Sequence, residues 1–193
     1  MSVSDRVKDE GLVRVIGTGA LGLNVVNMVI GAGIFVLPGL VAAAFWRSYE
    51  DAVRNSSAVS QSLDTELARV EAMRTALSRA TDSPGELDER LAQLRSTLQK
   101  LQDDLTGNRA KRQVGEKQGP NVGSRLNAVE PGIYASTYGP TATHQMTLEL
   151  ATDQLQQIRS ELAKARSDAA ALGNDLLRAG TPWVEGNPLP EQE

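Results

Sequence analysis

The chain has 193 residues, 20 Lys and Arg against 24 Asp and Glu, a single histidine and no cysteine. Without cysteine there is no disulfide, thiolate metal site or cysteine nucleophile, and one imidazole excludes a centre built on several histidines. Aromatic residues at 4% argue against one large mixed core, and the acidity lies beyond Glu50, so nothing electrostatic points to nucleic acid as a partner.

Residues 1–11 are polar and mixed in charge, as expected of a flexible N-terminus. Next, Leu12 to Ile16 followed by Gly17-x-Gly19-x-x-Gly22 has the outline of a dinucleotide fingerprint. Its context excludes that site: a ribose-binding acid is needed roughly 20 residues on, and none occurs before Glu50. Residues 20–46 carry no charged side chain, and roughly 20 apolar residues suffice to span a hydrocarbon core. Residues 12–49 are therefore expected to be a transmembrane anchor segment. Ala42-Ala43-Ala44 offers the competing reading of a signal-peptidase site, opposed by the acidic leader residues Asp5, Asp9 and Glu10. Gly31, Gly33, Pro38 and Gly39 predict a break in this helix, because each loosens the backbone hydrogen-bond ladder.

Arg14 ahead of this glycine-rich run, then Ile30-Gly31-Ala32-Gly33-Ile34-Phe35-Val36-Leu37-Pro38-Gly39, resembles the first transmembrane helix of amino-acid permeases in the amino acid, polyamine and organocation transporter superfamily. The resemblance covers about 35 residues and implies that Gly31, Ala32, Gly33 and Ile34 offer backbone N–H groups to a substrate carboxylate. Such permeases have ten or more spanning helices, whereas no second apolar run of even 15 residues follows Trp46, so a midplane site cannot be completed by this chain alone. Arg6, Lys8 and Arg14 before the run, against Arg47 and Arg54 after it, favour a cytoplasmic N-terminus in the cell membrane, with residues after about 50 on the extracytoplasmic side.

Residues 50–106 read as two amphipathic helices. The first carries Leu63, Leu67, Val70 and Leu77 on one face, with Glu66, Arg69 and Glu71 elsewhere and Arg74 interrupting the stripe. Ser83, Pro84 and Glu86 are a start signal for the second helix, with Ser83 as N-cap. Leu87, Leu91, Leu94, Leu98, Leu101 and Leu105 then run in four-three spacing, a heptad seam ended by Gly107-Asn108.

Residues 107–142 read as a long irregular loop rich in Gly and Pro, with a basic run of Arg109, Lys111, Arg112 and Lys117 and with Tyr134 and Tyr138 laid over the helices. Thr143 is the expected cap of a third amphipathic helix over 143–180. Its seam is Leu148, Ala151, Leu155, Ile158, Leu162, Ala165, Ala169, Leu172 and Leu176. Residues 181–193 form a proline-rich tail with Trp183 as its packed anchor. Gly107-Asn108-Arg109, Pro120 to Leu126, Pro140 to Thr143 and Ala179 to Gly186 resemble the C-terminal helical segment of exported bacterial sortilin-like, sialidase-type propeller proteins labelled glycosyl hydrolases. That resemblance covers most of residues 82–190 and implies a helical appendage; the propeller blades and their acids are absent, so no hydrolase residue carries over.

Acidic clusters such as Asp103-Asp104 and Glu86, Asp88 and Glu89 are more simply the wet faces of helices than a glycosidase carboxylate pair. His144, near Ser136, Thr141 and Thr143, is more simply a helix-start residue than a triad member. The expected architecture is all-α: one N-terminal transmembrane helix with a glycine/proline break, then a small antiparallel helical bundle or coiled coil with a long loop. The expected function is that of a single-pass membrane-anchored structural or interaction protein, the product of a fusion or truncation, without catalytic residues, metal or cofactor. Its expected partners are the lipid bilayer and either another helical protein or a second copy of the chain. The alternatives are an amino-acid permease fragment or transporter subunit, and an accessory segment of a propeller-type hydrolase-like protein.

Overall fold

The computed structural model describes residues 18–80, 85–134 and 139–185, with side chains described from Ala42 onward except that of Tyr134. It is all-helical: α1 Thr18–Leu77, α2 Gly85–Thr106, α3 Arg109–Gln113, α4 Val122–Tyr134 and α5 Ala142–Arg178, with no strand among the described residues. The chain divides into two compact units, Met1–Leu40 and Val41–Glu193.

In the first unit the backbone of α1 is helical throughout Gly31, Gly33, Pro38 and Gly39, without the expected interruption. The expected membrane anchor and cell-membrane localisation are corrected: among the described residues no helix is long and apolar enough to cross a membrane. From Ala42 onward the described side chains of α1 are those of a bundle helix. Arg47, Glu50, Asp51 and Arg54 follow Trp46 within about two turns, and the apolar residues beyond them form one stripe buried against protein.

That stripe fixes how the second unit folds. On α1 it runs Phe45, Tyr49, Ala52, Ser56, Val59, Leu63, Glu66, Val70, Met73 and Leu77 in unbroken four-three spacing, each buried or half-buried. The face expected from the sequence therefore shifts: Glu66 and Met73 take seam positions, and Leu67 is only half-buried against the core. On α2 all six seam leucines are buried, and on α5 all nine predicted seam positions are. A fully buried leucine such as Leu63, Leu98 or Leu105 contributes about 1.5–3 kcal/mol of transfer free energy.

Polar pairs between helices set direction and register. Asp64 with Gln102 at 2.9 Å and Glu71 with Arg95 at 3.7 Å run α1 and α2 antiparallel. Asp175 with Arg90 at 2.8 Å, and Gln154 reaching the Asp104 carbonyl at 3.3 Å, do the same for α2 and α5. Glu66 with Arg166 at 3.0 Å then lays α1 and α5 parallel, giving an up-down-up bundle.

Residues 107–142 are not the irregular loop expected, because they contain α3 and α4. Val122, Leu126 and Val129 are buried and Ile133 packs against the same core, again in four-three spacing. α4 packs on α5 and on α2, with Arg125 donating to Gln154 at 3.2 Å. It begins against the end of α2: a Cβ added to Gly123 would stand 3.4 Å from the Leu105 carbonyl oxygen. α4 thus continues the seam where α2 stops.

The turn that resets the chain is held by its own polar groups. Gly107 takes φ +80, and its N–H bonds the Asp103 carbonyl at 2.8 Å. Gln118 bonds both the N–H and the carbonyl of Asn108, at 2.6 and 2.7 Å, and Arg112 donates to the Thr106 carbonyl at 2.6 Å. These contacts satisfy carbonyls that the end of α2 leaves without a helical partner.

Helix ends differ in detail from expectation. α5 is capped by Thr141 rather than Thr143: the Thr141 hydroxyl accepts from the His144 N–H, and His144 Nδ1 accepts in turn from the Thr141 N–H. α5 closes on Gly180 at φ +75, with Thr181 N–H on the Leu176 carbonyl and Gly180 N–H on the Leu177 carbonyl. Beyond it Trp183 is 47% exposed, while Thr181 and Val184 are buried and anchor the tail instead. The expected start signal at Ser83 and Pro84, the Tyr134 and Tyr138 side chains and residues 1–17 and 186–193 lie outside the described residues.

Candidate functional site

Gly31, Ala32, Gly33 and Ile34, the positions that the permease resemblance assigns to substrate, lie in the helical backbone of α1 within the first unit; their side chains lie outside the described residues. Ser136 lies outside them as well.

The one concentration of buried charge in the described part of the bundle is on Glu66. Its side chain is 10% exposed, on a seam position that is otherwise apolar from Val59 to Leu77. Arg166 of α5 brings Nε to 3.0 Å of Oε1, and Arg69, one turn along α1, brings a guanidinium nitrogen to 3.6 Å of Oε2. Oε2 makes no hydrogen bond. The inter-helix pairs put Glu66 level with Leu98 and Leu101 of α2, and among the described residues the cation that reaches it from another helix is Arg166 of α5. The sequence carried the signal: extending the four-three pattern back to Phe45 puts a glutamate on the seam, and starting the stripe at Leu63 lets Leu67 take its place.

The other chemically suggestive residues are engaged in local structure. His144 closes the capping box of α5, with its ring against Gly132 of α4, where an added Cβ would fall on the imidazole. Asp103 accepts from the Asn108 side chain at 3.0 Å, and Asp104 contributes its main-chain carbonyl to Gln154. Glu86 and Asp88 occupy the first turn of α2, where a carboxylate interacts favourably with the helix dipole. Within the basic run, Arg112 caps α2 and Lys111 pairs with Glu116 at 3.3 Å. Among the described residues no group of three or more His, Asp or Glu side chains is placed to hold a metal ion.

Two grooves flank α5. Between α1 and α5 a groove of ≈ 1060 Å³ has Phe45, Ala52, Leu148 and Leu155 at its base and Glu149, Asp153 and Arg159 along α5. Between α2 and α5 a smaller one of ≈ 450 Å³ is lined by Arg90, Thr97, Glu161 and Asp168 among others. Neither joins a nucleophile, a base and an oxyanion donor in the arrangement acyl transfer requires. Outside the grooves, Met146 and Leu150 stand one turn apart on α5, 64% and 46% exposed.

No protein-family model, curated protein or solved structure matches this chain.

Proposed function

We propose that Val41–Glu193 is a non-catalytic helical interaction module: a bundle closed within one chain that presents the outer face of α5 to a protein partner. The observation that carries this reading is the convergence of the α1, α2, α4 and α5 seams on one core, with His144, Asp103 and Arg112 engaged in holding helix ends together. The reading accords with the resemblance of residues 82–190 to a helical appendage. Met146 and Leu150 are the apolar side chains that α5 leaves exposed near its start.

A photo-reactive amino acid at position 150, introduced in the cell that makes the protein, is expected to yield a discrete adduct with one protein. The same group at Val114, exposed but outside α5, is expected to yield none. Equal labelling from both positions contradicts the reading. So does uptake of labelled amino acids into vesicles reconstituted with the chain, if that uptake is lost on substituting Gly33.

A further inference from the structure

Three helices with apolar seams can close into a bundle of either hand, because α5 can lie on either side of the plane through α1 and α2. The seams alone do not distinguish the two. The residues next to the α5 seam do: from Arg159 to Asp175 they differ in sign on its two sides, while Glu149 and Asp153 also line the groove toward α1 and Lys164 the one toward α2. One flank carries Arg159 and Arg166 at heptad spacing and turns toward α1, where Arg166 meets Glu66 at 3.0 Å. The opposite flank carries Glu161, Asp168 and Asp175, also at heptad spacing, and turns toward α2, where Asp175 meets Arg90 at 2.8 Å.

In a bundle of the other hand α5 would present its flanks exchanged. Glu66, buried on the seam, would then face Glu161 and Asp168 in place of Arg166, and Arg90 would lose its acidic partner. A buried carboxylate beside like charge is among the costliest arrangements in a core, so the penalty falls on the wrong fold. We propose that Glu66 and the oppositely charged flanks of α5 select the hand of the bundle.

The same charges do not select the register. Arg159 and Asp168 repeat Arg166 and Asp175 one heptad earlier, and among the described residues neither makes a hydrogen bond or ion pair. A slip of one heptad would therefore keep both inter-helix pairs. It would also bring Thr141 and His144 to the positions of Leu148 and Ala151, and Ala165 and Ala169 to those of Leu172 and Leu176. Side-chain size along the seam thus sets register, and flank charge sets hand.

The chain has no cysteine, so introduced pairs can be read without background. Gln93→Cys and Ala171→Cys lie in the groove between α2 and α5, leave the flank charges in place and should be joined efficiently by a short bismaleimide in the full chain. Adding Glu66→Leu, Arg69→Leu and Asp175→Asn removes the discrimination and leaves the seams apolar. The cross-linked yield is then expected to fall roughly twofold while helical content and cooperative thermal unfolding remain, because two hands share the population. An unchanged yield overturns the proposal. Loss of cooperative unfolding overturns it too, since the charges would then hold the bundle together rather than choose its hand.

Discussion

Replacing Gly132 with alanine sets two effects of opposite sign against each other. Gly132 lies in α4, where alanine improves helix propensity by up to about 1 kcal/mol. The new Cβ, however, falls on the His144 ring, and that ring is fixed by its contact with the Thr141 N–H at the start of α5. Displacing a side chain from a filled site costs about 1–3 kcal/mol, and losing half of a capping box about 1 kcal/mol more. The steric effect wins, with a net loss of about 1–3 kcal/mol. For a unit of this size that corresponds to a Tm lower by roughly 3–10 °C, measured by thermal unfolding under far-UV circular dichroism. In a His144→Ala background the obstacle is gone, and Gly132→Ala should be stabilising by about 0.5–1 kcal/mol. A change of the same sign in both backgrounds would mean that the His144 ring does not oppose the new side chain.

Three further substitutions probe other contacts. Leu98→Ala removes a fully buried side chain at the middle of α2 and should cost about 3–5 kcal/mol in chemical denaturation. Gly107→Ala places a side chain at φ +80, with its Cβ 2.8 Å from the Asn121 side chain, and should cost about 1–3 kcal/mol; a loss under about 0.5 kcal/mol would mean that the turn relaxes freely. Glu66→Ala takes the carboxylate from between Arg166 and Arg69. Because Arg166 is 48% exposed and can turn to water, the expected loss is about 1–3 kcal/mol, below the range for a fully buried pair.

The seams of α2 and α5 were readable in full, because a heptad of leucines and alanines has one buried solution and the structure adopts it. α4 was not, because Gly123, Pro131 and Gly132 look like breakers when read singly. The two glycines are accommodated in place, Gly123 by the end of α2 and Gly132 by the His144 ring, and Pro131 lies inside α4 all the same. Glu66 was misplaced for a related reason, since a charged residue on a seam looks like evidence for a different face until Arg166 is brought against it from 100 residues away in sequence. The apolar run over residues 20–46 invited a membrane reading from composition alone. Past Trp46 the same helix continues into the bundle, which no local signal in that run announces.

The bundle rests on the packing of α2 against α5 within one chain. The register of their polar pairs brings Lys100 and Lys164, both exposed, to the same level on neighbouring helices. An amine-reactive cross-linker applied to an equimolar mixture of heavy-isotope-labelled and unlabelled full chains tests this directly by mass spectrometry. A Lys100–Lys164 link is expected only as all-heavy and all-light pairs. Mixed heavy-light pairs at the statistical proportion would show that these helices meet between chains and would contradict that packing.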